Sequence, residues 1–122
     1  MPRRGEVWLA ELDKVRPVVV MTRDPMGTLL SSVIVAPVTS TVRGISTEVP
    51  VGPQDGIRHP SVANLDNVAL LARSRLRRKV GRARPSTMQA MCDALAAAVD
   101  CGAATPATTV AGEAERSGDP GE

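Results

Sequence analysis

GEVWLAELDKVRPVVVMT, residues 5–22, decides the fold because it holds two strand patterns joined by a very short connection. In residues 5–12, Val7 and Trp8 fall on opposite faces of a strand, and apolar residues occupy both faces, so both are expected to be covered. A parallel crossover needs about a dozen residues or more, and residues 13–15 cannot provide one. Residues 16–22 are therefore predicted to return antiparallel, as the second arm of a hairpin.

The chain then continues as a series of short strand patterns. Pro37 lies inside one of them and predicts a bulge, a bend or a sheet edge, because proline has no N–H to donate to a ladder. The predicted strands are Leu29–Ser40, Ser46–Val51, Ser61–Ala72 with a kink near Asn64–Asn67, and a last strand around Lys79–Ala83. Five or six such strands, followed by one helix, predict an α+β protein, either a small antiparallel barrel or a roll.

One helix is predicted, from Thr87 to about Cys101. Its apolar residues recur at spacings of three and four, which gives it a single face to pack on the sheet. Ser86 is a suitable N-cap, and Gln89 completes an S-x-x-Q capping box. No helix follows it in the pattern.

Charge divides the chain into two parts. Residues 1–101 contain fourteen Lys or Arg and nine acids, a net charge of +5, whereas residues 102–122 contain one cation and four acids, a net charge of −3. The second part is rich in small residues, Gly and Pro and has little to bury. We expect one domain over residues 1–101 and a flexible acidic tail over residues 102–122.

Composition also limits the partners and cofactors. Thirteen of the fifteen cations are arginine, whose planar fork of donors suits phosphate, and Trp8 is the single aromatic, so stacking platforms for bases are absent. Two cysteines and one histidine show no metal-ligand spacing, so no metal or other cofactor is expected. The lack of a signal peptide or long apolar run favours a cytoplasmic protein with no membrane partner.

Five motifs, in this order, resemble the MazF/PemK/Kid family of toxin endoribonucleases. They are RRGEVWLAEL, RPVVVMT, VIVAPVTS, TEVPV and SVANLDNVALLARSRL, and the resemblance covers about Arg3 to Val99. It implies an SH3-like antiparallel barrel with a C-terminal helix, and a homodimer neutralised by a cognate antitoxin of a type II toxin-antitoxin system. It also implies sequence-specific cleavage of single-stranded RNA without metal, with the 2′-hydroxyl as nucleophile.

The same resemblance assigns three catalytic residues. Arg16, directly before the proline of RPVVVMT, matches the arginine placed on the scissile phosphate, and its permanent charge favours a clamp on the transition state over a general base. Thr39 in PVTS matches a hydroxyl that contacts the phosphate region. Asp66 in NLDNV matches an aspartate given a part in acid/base or RNA-positioning work, with fixing a turn as the alternative.

Candidate RNA-binding residues lie next to these positions. Ser40 adjoins Thr39, and the segment RSRLRRKVGRAR supplies seven cations without an acid between Asp66 and Asp93. Such a cluster is explained by a partner, either RNA or an acidic antitoxin segment. The residues assigned to RNA from this segment are Arg73, Arg75, Arg77, Arg78 and Lys79.

Two other functions share this fold. A relative of the gyrase-poisoning toxins would act by protein binding without cleaving RNA, and a plain RNA-binding barrel would bind RNA in a salt-dependent way and leave it intact. The loop between the first two strands is only DKV, residues 13–15, so base contacts from a longer loop there have no counterpart. His59, in a Gly- and Pro-rich loop, is interpreted as a loop residue rather than a base.

Overall fold

A computed structural model describes residues 2–100 of the chain. The predicted acidic tail, residues 102–122, lies outside the described residues, so its flexibility stays a prediction. Within the described range, no helix has the length and apolar character needed to cross a membrane.

An antiparallel sheet of seven strands is the main element of residues 2–100, and together with one C-terminal helix it confirms the predicted fold class. Its neighbours run in the order β4-β5-β3-β2-β1-β7, and β6 pairs with β3. In chain order the strands are β1 Glu6–Glu11, β2 Val15–Val20, β3 Ser32–Thr39, β4 Glu48–Val51, β5 Ser61–Asn64, β6 Ala69–Ala72 and β7 Leu76–Arg82.

The β1–β2 hairpin forms as predicted. Ala10 faces Arg16 and Glu11 faces Val15, and the N–H of Leu12 donates to the carbonyl of Lys14 at 3.0 Å across the turn. Because the turn is so short, it fixes the register of both strands.

Pro37 lies where β3 changes partners. Residues 32–35 of β3 pair with β6, whereas Val38 and Thr39 pair with β5. Pro37 faces Val18 of β2 and, on the other side of β3, falls between the β6 and β5 ladders, where a strand tolerates a missing N–H. The predicted irregularity is therefore an exchange of one neighbouring strand for another.

The predicted kinked strand is interrupted more strongly than expected. β5 ends at Asn64, residues 65–67 form a 3-10 turn, and β6 begins at Ala69. The side chain of Asn64 accepts the N–H of Asp66 at 2.9 Å, a local bond that competes with the ladder. β7 also begins earlier than predicted, at Leu76 rather than near Lys79.

Two apolar clusters lie on the two sides of the sheet, as the two apolar faces of β1 predict. β1 contributes Val7 to one cluster and Ala10 to the other, and β2 contributes Val19 and Val18 in the same way. The first cluster also includes Met91 of the C-terminal helix, which covers that side.

Two helices accompany the sheet in the described part of the chain, α1 Met26–Leu29 and α2 Pro85–Ala98. The predicted capping box is wrong, because Pro85 takes the first helical position and moves the N-cap to Arg84. Proline suits that position, where an N–H would have no helical partner. Gln89 instead donates to Asp93 at 3.0 Å, one turn further along.

Candidate active site

Arg16 is held by a bidentate ion pair with Asp13, a residue of the β1–β2 turn. Its Nε lies 3.0 Å from Asp13 Oδ1 and its Nη2 lies 3.3 Å from Oδ2. The hydrogen bond from Arg16 lowers the pKa of Asp13, and in return Asp13 raises the pKa of Arg16. The guanidinium is therefore oriented and charged, and its Nη1 group takes no part in this pair, so it can serve a phosphate.

Thr39 ends β3 and presents a hydroxyl beside a turn. Its Oγ1 accepts the N–H of Thr41 at 3.1 Å. A hydroxyl that accepts one bond still has its own proton to donate, here to a phosphoryl oxygen. The backbone bond therefore orients Thr39 as a donor.

Arg16 and Thr39 both line two adjoining grooves, and with Val38 and Thr41 they form the wall between them. The Glu48 groove has a volume of about 390 Å³ and the His59 groove about 620 Å³. The Glu48 groove is also lined by Leu12, Asp13, Pro37, Arg43, Glu48, Asn64 and Asn67. The further polar residues of the His59 groove are Lys14, Ser40, Arg58, His59, Ser61 and Arg78.

The His59 groove is strongly positive. Arg16, Lys14, Arg58 and Arg78 all line it, and none of its lining residues is an acid. Such a surface attracts a polyanion and concentrates it at the site. Ser40 and Arg78, two of the predicted RNA-binding residues, lie in this groove.

The other cations of the predicted cluster lie elsewhere. Strand alternation puts Arg78 on the face of β7 that lines the groove, while Arg77 and Lys79 point to the opposite face. There Lys79 pairs with Glu6 at 3.1 Å, and Arg77 pairs with Glu11. These two cations therefore already have partners within the protein, because β1 supplies carboxylates that are distant in the sequence.

Arg73 and Arg75 are outside both grooves as well. Arg73 Nη1 donates to the carbonyl of Gly27 at 3.3 Å, and Arg75 Nη1 donates to the carbonyl of Glu11 at the same distance. Both guanidinium groups therefore connect the 3-10 turn of residues 73–75 to neighbouring segments.

Asp66 is not brought to the grooves. Its Oδ2 accepts the hydroxyl of Thr47 at 2.6 Å, and its N–H is bound by Asn64. These bonds correspond to the turn-fixing alternative. Its neighbour Asn67 is the residue of this turn that lines the Glu48 groove.

The loop that carries Arg58 and His59 is anchored at Asp55. This buried carboxylate accepts the N–H and Nε of Arg84 at 2.9 and 3.2 Å and the hydroxyl of Thr87 at 3.0 Å. Burial by itself would raise the pKa of Asp55, but the hydrogen bonds from Arg84 and Thr87 outweigh it and hold the pKa below its usual value. The charge also lies at the start of α2, where it is favourable.

Gly56 brings the same loop against β7. It has a φ of +85°, and a Cβ at this position would lie 2.5 Å from the Cα of Gly81. Only two glycines allow so close a backbone approach. The contact between Gly56 and Gly81 holds the loop side of the His59 groove in place, and the sequence did not reveal this contact.

The comparisons with known proteins agree with this architecture. The chain is 42% identical over 104 residues to the probable endoribonuclease MazF5 of Mycobacterium tuberculosis, covering 83% of this chain and 95% of the relative. The solved structure of the M. tuberculosis toxin MazF-mt6 superposes with a TM-score of 0.75 at 40% identity, covering 78% of this chain and 96% of that one.

A mycobacterial endoribonuclease, solved in complex with its cognate antitoxin, is also similar. Its TM-score is 0.76 at 29% identity, with 83% of this chain and 97% of that chain covered. The family described as PemK-like, MazF-like toxin of type II toxin-antitoxin system matches residues 3–99, which is nearly all of the described structure. The chain belongs to this family of PemK-like and MazF-like toxins.

Proposed function

We propose that this protein is a toxin endoribonuclease that cleaves single-stranded RNA at the wall shared by the two grooves. Two of the similar proteins named above, MazF5 and the mycobacterial protein solved with its antitoxin, are described as endoribonucleases, and the chain covers nearly all of their length. The observation that carries the proposal is the convergence of Arg16 and Thr39 on one wall beside a groove lined by four cations.

The chemistry follows from the groups on this wall. Attack by the 2′-hydroxyl on the adjacent phosphorus forms a 2′,3′-cyclic phosphate and releases the 5′-oxygen of the next nucleotide. Negative charge develops on the phosphoryl oxygens, where the free donors of Arg16 and the hydroxyl of Thr39 stabilise it. Because the substrate supplies the nucleophile, the reaction is proposed to proceed without a metal.

The two ends of the reaction also need proton transfer. The 2′-hydroxyl loses a proton and the leaving 5′-oxygen gains one, so an acceptor and a donor must lie near the wall. His59 lines the same groove as Thr39 and is one candidate acceptor, although its sequence context is that of a loop residue. Asp66, bound to Thr47, is less suited to this role.

The proposal includes the setting in which the toxin acts. A cognate antitoxin would neutralise it, and the similar mycobacterial endoribonuclease that was solved in complex with its own cognate antitoxin supports this. We also propose a homodimer in the cytoplasm, on the basis of the family resemblance. The positive His59 groove is the surface that an acidic antitoxin segment would compete for.

An RNA-cleavage assay with end analysis tests the function. The wild-type protein should cut single-stranded RNA in the presence of EDTA and leave a 2′,3′-cyclic phosphate, while a 2′-deoxy substitution at the cut site should block cleavage. RNA that is bound in a salt-dependent way but stays intact would identify a plain RNA-binding barrel instead. A protein that neither cleaves RNA nor binds it would favour the gyrase-poison alternative.

A further inference from the structure

Glu48 has one carboxylate oxygen committed to the protein and one that is not. Its Oε1 accepts the N–H groups of Arg43 and Gly44, both at 2.9 Å, and these bonds fold residues 43–48 around the side chain. Its Oε2 is the one buried side-chain nitrogen or oxygen in residues 2–100 that no protein group hydrogen-bonds. Leaving a buried acceptor unsatisfied costs about 1–3 kcal/mol, and more for a charged group.

This oxygen belongs to a side chain that lines the same groove as Arg16 and Thr39. β5 pairs with β4 on one side, where Glu48 faces Asn64, and with β3 on the other, where Thr39 faces Val62. Paired residues share a face of the sheet, and residues two apart on one strand do so too. Glu48, Asn64 and Thr39 therefore point to one side, toward the groove.

The same register sets how far Glu48 lies from the phosphate position. Glu48 and Thr39 are two strands apart and two residues out of line, which separates their Cα atoms by about 12 Å at the usual strand spacings. A phosphate held by Thr39 is thus too distant for direct contact with Glu48. The Glu48 side chain lines the groove at a place for a neighbouring part of the RNA, and because its Oε2 is buried in the free protein, a shift of residues 43–48 must uncover this oxygen when RNA binds.

The chemistry of a carboxylate limits which part of the RNA can lie against Glu48. A carboxylate oxygen repels phosphate and accepts N–H donors, and the exocyclic amino group of an unpaired base is such a donor. Adenine, cytosine and guanine carry one, and uracil does not. A single hydrogen bond to a charged group is strong enough to distinguish among bases.

We propose that Glu48 is a specificity-determining residue, whose Oε2 accepts the exocyclic amino group of a base next to the scissile phosphate. The inference rests on the proposed function and adds to it a means of sequence selection that does not need a long β1–β2 loop. Uracil is disfavoured at that position because its one ring donor, N3–H, lies between two carbonyl oxygens that the carboxylate repels.

Glu48→Gln is the decisive variant, because its amide must keep an acceptor toward Arg43 and Gly44. The amide oxygen takes the place of Oε1, and the NH₂ group then replaces Oε2, so an acceptor in the groove becomes a donor. The bonds from the N–H groups of Arg43 and Gly44 are preserved, while the group offered to a base changes from one that accepts an amino group to one that repels it. Asp93→Asn, on the exposed face of α2, removes the same charge outside the groove and serves as the control.

The experiment measures kcat/KM on RNAs that differ in one base at each position around the cut. The wild-type protein and Asp93→Asn should share one position where amino-bearing bases are preferred, and Glu48→Gln should lose roughly 10- to 100-fold on those RNAs. RNA with the deamino analogue of the preferred base should lose as much with the wild-type protein. With Glu48→Gln, replacing the preferred base by its deamino analogue should lower kcat/KM little further, because the group that the amino group contacts is already gone, as expected of an interacting pair.

Three results overturn the inference. The first is an unchanged base preference in Glu48→Gln, and the second is a wild-type protein that is indifferent to the deamino analogue, a test that needs no protein variant. The third is a uniform loss on every RNA with an altered pH profile, which would make Glu48 a proton acceptor. If the wild-type protein cuts no RNA, the proposed function fails by itself, and base preference is then measured by equilibrium binding of the same RNAs.

Discussion

Arg16 and Asp13 are joined across the β1–β2 turn by two parallel hydrogen bonds, at 3.0 and 3.3 Å. The residue proposed to contact the scissile phosphate is thus oriented by a carboxylate three positions earlier in the chain. We expect Asp13→Ala to lower kcat by less than Arg16→Ala does. In Asp13→Ala the positive charge of Arg16 remains, and only the orientation of its guanidinium is lost. Single-turnover cleavage rates measure the difference, and a faster Asp13→Ala would show that Asp13 competes with phosphate instead.

Removing the Arg16 side chain should have the largest effect at the site. A donor that acts on developing charge typically contributes on the order of a hundredfold or more to the rate. We expect Arg16→Ala to lower kcat by about that factor while RNA affinity falls less, because the other groove cations remain. Arg23→Ala, at an exposed position outside both grooves, is the matched control. Equal losses in the two variants would remove Arg16 from the mechanism.

Thr39→Val keeps the shape of the side chain and removes its hydroxyl. Cleavage should slow, but by less than in Arg16→Ala, since a neutral donor stabilises developing charge less than a guanidinium. Thr39→Ser retains the hydroxyl and should stay close to the wild-type rate. Thermal unfolding of both variants separates a catalytic loss from the loss of the bond to Thr41.

Acid should weaken the anchor of the His59 groove. The folded-state pKa of Asp55 is held below its usual value of 3.8, so the stabilisation is fully present above that pH and is lost as pH falls through the folded pKa. The pKa of Glu6 is lowered as well, through its bonds to Arg3, Trp8 and Lys79, which outweigh the effect of burial. Unfolding measured from pH 6 downward should show the decline below about pH 4. In Asp55→Asn that decline should be smaller.

The close contact between Gly56 and Gly81 can be tested by comparing Gly56→Ala with the same substitution at a second glycine of positive φ, Gly44. Gly44 has a φ of +76° but nothing within 4 Å of a Cβ at its position, so Gly44→Ala carries only the backbone cost, about 1–2 kcal/mol. Gly56→Ala adds a clash with Gly81 and should be clearly less stable in urea unfolding. Equal midpoints for the two variants would mean that the loop moves away from β7 without cost.

The sequence predicted the parts of the site that depend on local order. The hairpin and the irregularity at Pro37 follow from short motifs whose meaning does not require distant residues, and the same motifs put Arg16 near the start of β2 and Thr39 at the end of β3. The capping box failed because Pro85 fixes the helix start and because Asp55, thirty residues earlier, serves the helix instead.

What the sequence could not reveal depends on contacts across the sheet. Arg77 and Lys79 find carboxylates on β1, and Glu48 keeps a free oxygen only because of how residues 43–48 fold. Arg58 and His59 reach the groove through the Gly56–Gly81 approach, for which a Gly in a loop gives no specific signal.

The two apolar clusters have a consequence for how the protein unfolds. Each of β1, β2 and β3 gives alternate residues to both clusters, as Val7 and Ala10 do for β1. Neither cluster can melt while the other keeps these strands extended, so the sheet behaves as a single cooperative unit. We expect calorimetric and van't Hoff enthalpies to agree, and the most protected amides in hydrogen exchange to lie on the three shared strands rather than on α2.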